Sequence, residues 1–151
     1  MISKFNVASI LVLDQEEALD FYVNKLGLEK GSDVRQGGFR WLTVRVPGDA
    51  GTEINLLEPG PPVQDEATAA QLRELVTKGA LGGLVFETDD AHGLFEALKA
   101  RGVTDFTQEP MEHFYGVDMG VRDPFGNAIR ILQRKAPARK DRAEKAATAN
   151  R

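Results

Sequence analysis

The chain has 151 residues, enough for one domain or for two small halves sharing a core. It contains no cysteine, which excludes disulfides and thiolate chemistry and leaves His, Asp and Glu as the side chains for any metal site. The net charge of −4 is unevenly divided: residues 134–151 carry seven Lys/Arg and two Asp/Glu, so the body stands at −9, a poor match for nucleic acid. No apolar run approaches the roughly 20 residues of a membrane span, and no signal peptide opens the chain, so a cytoplasmic protein without a membrane partner is expected.

Taken in order, Phe5–Leu13 is apolar and branched enough for a buried strand. Asp14 is placed to cap a helix, with Glu17 three residues on as in a capping box, and Ala18, Leu19, Phe21, Tyr22 and Leu26 recur at helical spacing up to Gly27. Arg40–Val46 and Thr52–Leu57 read as a hairpin. Alternation puts Leu42, Val44, Val46, Ile54 and Leu56 on one side, and Trp41, Thr43, Arg45, Glu53, Asn55 and Leu57 on the other. The first set should cover the helix. The second is mixed in polarity, as a ligand cleft is, although a solvated outer face has the same composition.

After Pro59–Pro62, residues 65–78 read as a connecting helix ending at Gly79. The opening plan then returns. Leu84–Asp90 is a strand running into a cap, and a helix with Leu94, Phe95 and Leu98 closes at Gly102. VASILVLDQEEALDFYVNKLGL and GGLVFETDDAHGLFEALKARGV share strand, Asp cap, helix and glycine, an internal duplication too long in period for a solenoid. Val103–Phe106 is a possible short strand. Val117, Met119 and Val121 alternate with Asp118, Gly120 and Arg122 before the turn Asp123-Pro124-Phe125-Gly126-Asn127, and Ile129 and Ile131 resume the alternation beyond it. Asp118, Arg122 and Arg130 therefore share a polar face. The basic end of the chain, 135–151, reads as a solvated tail.

Phe21-Tyr22…Leu26-Gly27-Leu28, the duplication, and Tyr115-Gly116…Arg122-Asp123-Pro124-Phe125-Gly126-Asn127 together resemble the vicinal oxygen chelate superfamily, which includes glyoxalase I, bleomycin-resistance proteins and extradiol dioxygenases. The resemblance implies an α+β fold of two βαβββ modules, about 5–58 and 82–134, forming a curled mixed sheet around a cleft within one domain over 1–134. It also implies a homodimer. Enzymes of the family hold a divalent metal on inward His or Glu side chains, and the matching positions here are Val7, Glu53, Gly83 and Arg130. Only Glu53 has a suitable donor, whereas a catalytic zinc needs about three protein ligands.

His92 reads as a solvated helix residue, and His113 as either a loop histidine or a pocket contact. Glu53 and Arg130 are expected to form an ion pair in place of the metal. Phe125 in the turn is a candidate for packing on a dimer partner. The expected cleft comprises Trp41, Thr43, Glu53, Asn55, His113, Tyr115, Asp118, Arg122 and Arg130, with no cofactor. The function expected is sequestration or recognition of a small organic molecule, as in the bleomycin-resistance branch. A metal-dependent lyase, isomerase or dioxygenase with relocated ligands is the alternative, and a metal-free acid–base enzyme a further one.

Overall fold

The computed structural model describes residues 1–135; the expected basic tail falls almost wholly outside them. Among the described residues, eight strands and three α-helices run in the order β1 (Val7–Leu11), α1 (Gln15–Leu19), β2 (Glu29–Gln36), β3 (Phe39–Arg45), β4 (Glu53–Leu57), α2 (Glu66–Thr77), β5 (Leu84–Glu87), α3 (Ala91–Ala100), β6 (Phe106–His113), β7 (Gly116–Arg122) and β8 (Ala128–Arg134). The duplication is real at the level of topology. The first sheet has the order β1-β4-β3-β2 and the second β5-β8-β7-β6, with the first and last strand of each module parallel. The fold is α+β, built from two βαβββ modules with one mixed four-stranded sheet each. The residues divide into two compact units, 1–83 with 122–128, and 84–121 with the chain from Ile129.

In the first unit, Asp14 caps α1 by accepting from the Glu17 amide at 2.8 Å. The helix continues in π-helical form over Asp20–Lys25, where the Leu26 amide reaches back five residues to the Phe21 carbonyl. Gly27, at φ +90°, then turns the chain as the sequence predicts. The helix buries Ala18, Phe21 and Tyr22, and the sheet buries Ile10, Leu42, Val44 and Leu56, so the apolar side of the hairpin is the core side. Ile54 is only half-buried, and Val46 is exposed because β3 ends at Arg45.

The turn after β7 packs into this first unit and is its polar keystone. Asp123 Oδ1 accepts the backbone N–H groups of Phe125, Gly126 and Asn127, while Oδ2 accepts the Tyr22 hydroxyl at 2.7 Å and Asn127 Nδ2 at 2.8 Å. Asn127 Nδ2 also donates to the Leu11 carbonyl, which ties the turn to β1. Asp123, Asn127 and Phe125 are all buried. The expected placement of Phe125 against a partner is thus corrected: its ring is taken up within the chain.

In the second unit, Asp90 caps α3 through the Gly93 amide, and Phe95, Leu98, Met119, Val121, Ile129 and Ile131 are buried. Two strands escaped the sequence reading. β2 is polar on both faces, and β6 replaces the short strand expected at Val103–Phe106, running eight residues through Pro110 with two breaks in register.

Candidate functional site

The polar side of the first sheet is organised by close approach. β3 and β4 pair Thr43 with Asn55, and β1 and β4 pair Val7 with Glu53 and Ser9 with Asn55. Trp41, Thr43, Glu53 and Asn55 therefore share one face, as alternation requires. Thr43 is fully buried, accepts the Ser32 amide at 2.7 Å and donates its proton to Glu53 Oε2 at 2.7 Å. Arg45 stands 3.8 Å from the other Glu53 oxygen and donates to Glu29 at 2.8 Å. Gly31 makes room for this arrangement, since a Cβ there would lie 2.5 Å from Thr43 Oγ1 and 2.8 Å from Glu53 Oε1. Trp41, 36% exposed, pairs in register with Val34, 56% exposed, as an open apolar wall on the same face.

Toward its far end this face meets a pocket of about 340 Å³ lined by Phe39, Leu57, Gln15, Arg35, Arg40, Glu58 and the Pro59–Pro61 segment. Gln15 is held in its wall by bonds from Nε2 to the Leu56 and Arg40 carbonyls. The Arg40 guanidinium grips both oxygens of Asp33, which holds that carboxyl well below the usual carboxylate range.

The second sheet carries a separate polar cluster. Arg130 donates to Asp118 and to Gln108, and Tyr115 donates to Asp118 at 3.3 Å. Desolvation, and then the Asp118 charge, raise the Tyr115 hydroxyl above its ordinary pKa. His113 stacks on the Tyr115 ring at 4.9 Å. Arg122 stands apart from this group, its guanidinium on the Gly126 carbonyl in the keystone turn. His92 is exposed on α3, as expected.

Glu53 and Arg130 each take partners inside their own unit, Glu53 with Thr43 and Arg45, Arg130 with Asp118 and Gln108. Gly31, Ser9 and Gln108 were missed. Gly31 lies on the unrecognised β2 and Gln108 on the unrecognised stretch of β6, while Ser9 was submerged in an apolar run.

A family metal does not fit these residues. Val7 and Gly83 have no side-chain donor atom, and Arg130 is a cation salt-bridged to Asp118. Gly83 is also closed to a donor, because a Cβ there would fall 1.8 Å from the Ala128 carbonyl oxygen. Among the described residues, no three His, Asp or Glu side chains gather in a group able to hold an ion.

Paired βαβββ modules carrying polar sheet faces define a glyoxalase-like class of protein. The chain belongs to the Glyoxalase/Bleomycin resistance protein/Dioxygenase superfamily, whose family model matches residues 4–131. It is 38% identical over 132 residues to the uncharacterized protein YurT of Bacillus subtilis (strain 168), covering 87% of this chain and 99% of that one. Among solved structures it resembles UcmS2, with a TM-score of 0.81, 37% identity, and coverage of 87% and 98%. It also resembles TnmS3, an antibiotic binding protein from Streptomyces sp. CB03234, with a TM-score of 0.69, 30% identity, and coverage of 89% and 98%.

Proposed function

We propose that the protein binds a small organic molecule and sequesters it without a catalytic metal. The observation that carries this reading is the polar face of the first sheet, where exposed Trp41 and Val34 lie at the end that leads toward a pocket of ligand size and Glu53 stands as a fixed acceptor further along the same face. The likeness to TnmS3 supports binding as the role. The donor set supports a metal-free mode, since three of the four family metal positions cannot ligate. The remaining candidates, His113, Tyr115, Asp118 and Arg130, are a second group of ligand contacts on the other sheet, and Arg122 is assigned to the turn.

The proposal includes a homodimer in the cytoplasm. Val85, 72% exposed, and Met111, 52% exposed, flank Arg130 and Asp118 in register on one sheet, an apolar fringe that a second copy can cover. None of the described helices is long and apolar enough to cross a membrane.

Thermal-shift screening against a library of antibiotics and other aromatic natural products tests the reading. A ligand at 100 times its Kd adds about 2.7 kcal/mol to stability. The expected hit raises Tm by several degrees and is recovered chemically unchanged after prolonged incubation. Turnover of the hit, or a library with no stabilising member, contradicts sequestration.

A further inference from the structure

Asn55 holds an unspent acceptor. The residue is 3% exposed, and its Oδ1 has no hydrogen-bond partner, whereas Nδ2 donates to Ser9 Oγ at 3.2 Å. Buried polar atoms are nearly always paired, and leaving one unpaired is costly, so an orphan calls for a partner from outside the chain. The neighbours in register do not supply one. On β3 the Thr43 proton is committed to Glu53, and its lone pair already takes the Ser32 amide. On β1 the Ser9 hydroxyl stands against Asn55 Nδ2 and makes no bond to Oδ1.

The setting indicates what should come. Glu53 lies two residues before Asn55 on the same face of β4, so two acceptors stand about 7 Å apart along the strand. Leu57, two residues further, lines the 340 Å³ pocket together with Phe39, which shares the face of Trp41. Acceptors at the centre and aromatic rings at the side select a molecule that is flat, aromatic and rich in donors.

Resting on the sequestration reading, we infer that Asn55 is a specificity residue, its Oδ1 accepting a hydrogen bond from a hydroxyl or amino group on a planar aromatic ligand. Glu53, held by Thr43, takes a second donor of the same molecule. A ligand whose oxygens are capped as ethers is rejected, because Asn55 Oδ1 then stays unpaired and Glu53 gains no further donor.

The test uses the full chain with two probes, naphthalene-2,6-diol and 2,6-dimethoxynaphthalene, titrated calorimetrically up to 1 mM. The wild-type protein is expected to bind the diol at least tenfold more tightly than the diether. Asn55→Leu should reduce that preference to threefold or less, while the Tm of the free protein stays the same or rises, since a buried orphan has been exchanged for an apolar side chain of similar size. Asn55→Asp, which keeps an acceptor, should retain the preference.

A preference that survives in Asn55→Leu overturns the inference and assigns the acceptor to a bound water, leaving sequestration intact. Equal binding of both probes overturns it likewise. A Tm drop of more than 5 °C in free Asn55→Leu makes Asn55 structural and overturns it as well. Binding of neither probe rejects the stated ligand class, whereas sequestration itself is decided by the library screen.

Discussion

Replacing Asp123 with alanine is expected to cost about 3–5 kcal/mol, a large loss for one polar side chain. Its two oxygens accept five hydrogen bonds, three from the backbone of its own turn, one from Tyr22 and one from Asn127. Deleting the carboxylate leaves those donors unpaired in a region where Tyr22 is fully buried and Asn127 nearly so. Urea denaturation would read the loss directly. Asp123→Asn should cost less, because Oδ1 can still serve the three amides while the new NH2 opposes Asn127. Equal stability of Asp123→Ala and wild type would remove the keystone from the account.

The same hub sets an alkaline limit. Burial, reinforced by the Asp123 charge and hydrogen bond, pushes the Tyr22 hydroxyl far above its ordinary pKa. The unfolded chain releases that proton near pH 10, the folded one only well above it, so the folded state holds more protons in that window. Its stabilisation is complete below about pH 10 and declines as pH rises further. Tyr22→Phe should flatten that decline between pH 9 and 11 while lowering stability at neutral pH, where Asp123 loses one donor.

Placing any side chain at Gly83 is the second large effect. The parallel pairing of Leu84 with Ile129 brings the Gly83 backbone against Ala128, whose carbonyl oxygen would lie 1.8 Å from an added Cβ. One of the two strands must move, and Gly83→Ala is expected to cost about 3 kcal/mol, at the upper end of overpacking effects. Gly83→His should do no better, and adding zinc or nickel should not restore its Tm, because the imidazole cannot be seated without parting β5 from β8. A Gly83→His protein as stable as wild type, or stabilised by the metal, would show that this position is open after all.

Much of the fold was legible because it rests on short-range chemistry. Asp14, Asp65 and Asp90 are each followed by a helix whose amide they cap, and Gly27, Gly79 and Gly102 each end a helix in the left-handed region. Strands β3, β4, β7 and β8 announce themselves by the alternation of their residues, apolar on one side and largely polar on the other. β2 and β6 do not, since their partners across the sheet, not their own pattern, make them strands.

The site was legible as a set of faces and illegible as a set of contacts. That Trp41, Thr43, Glu53 and Asn55 share a side follows from period two. That Thr43 serves Glu53 depends on register and on a missing Cβ at Gly31, both properties of strands distant in sequence. The same holds for Arg130, whose partner Asp118 lies across a turn on the next strand.

The central claim is metal-free binding, and elemental analysis of the purified native protein tests it most directly. Expressed in medium supplemented with zinc, manganese, nickel and iron, and purified without chelators, the protein should carry well under 0.1 equivalent of any of them. One equivalent of any of these metals per chain, lost together with stability in Glu53→Ala, would contradict the account and return the protein to the metalloenzymes of its superfamily.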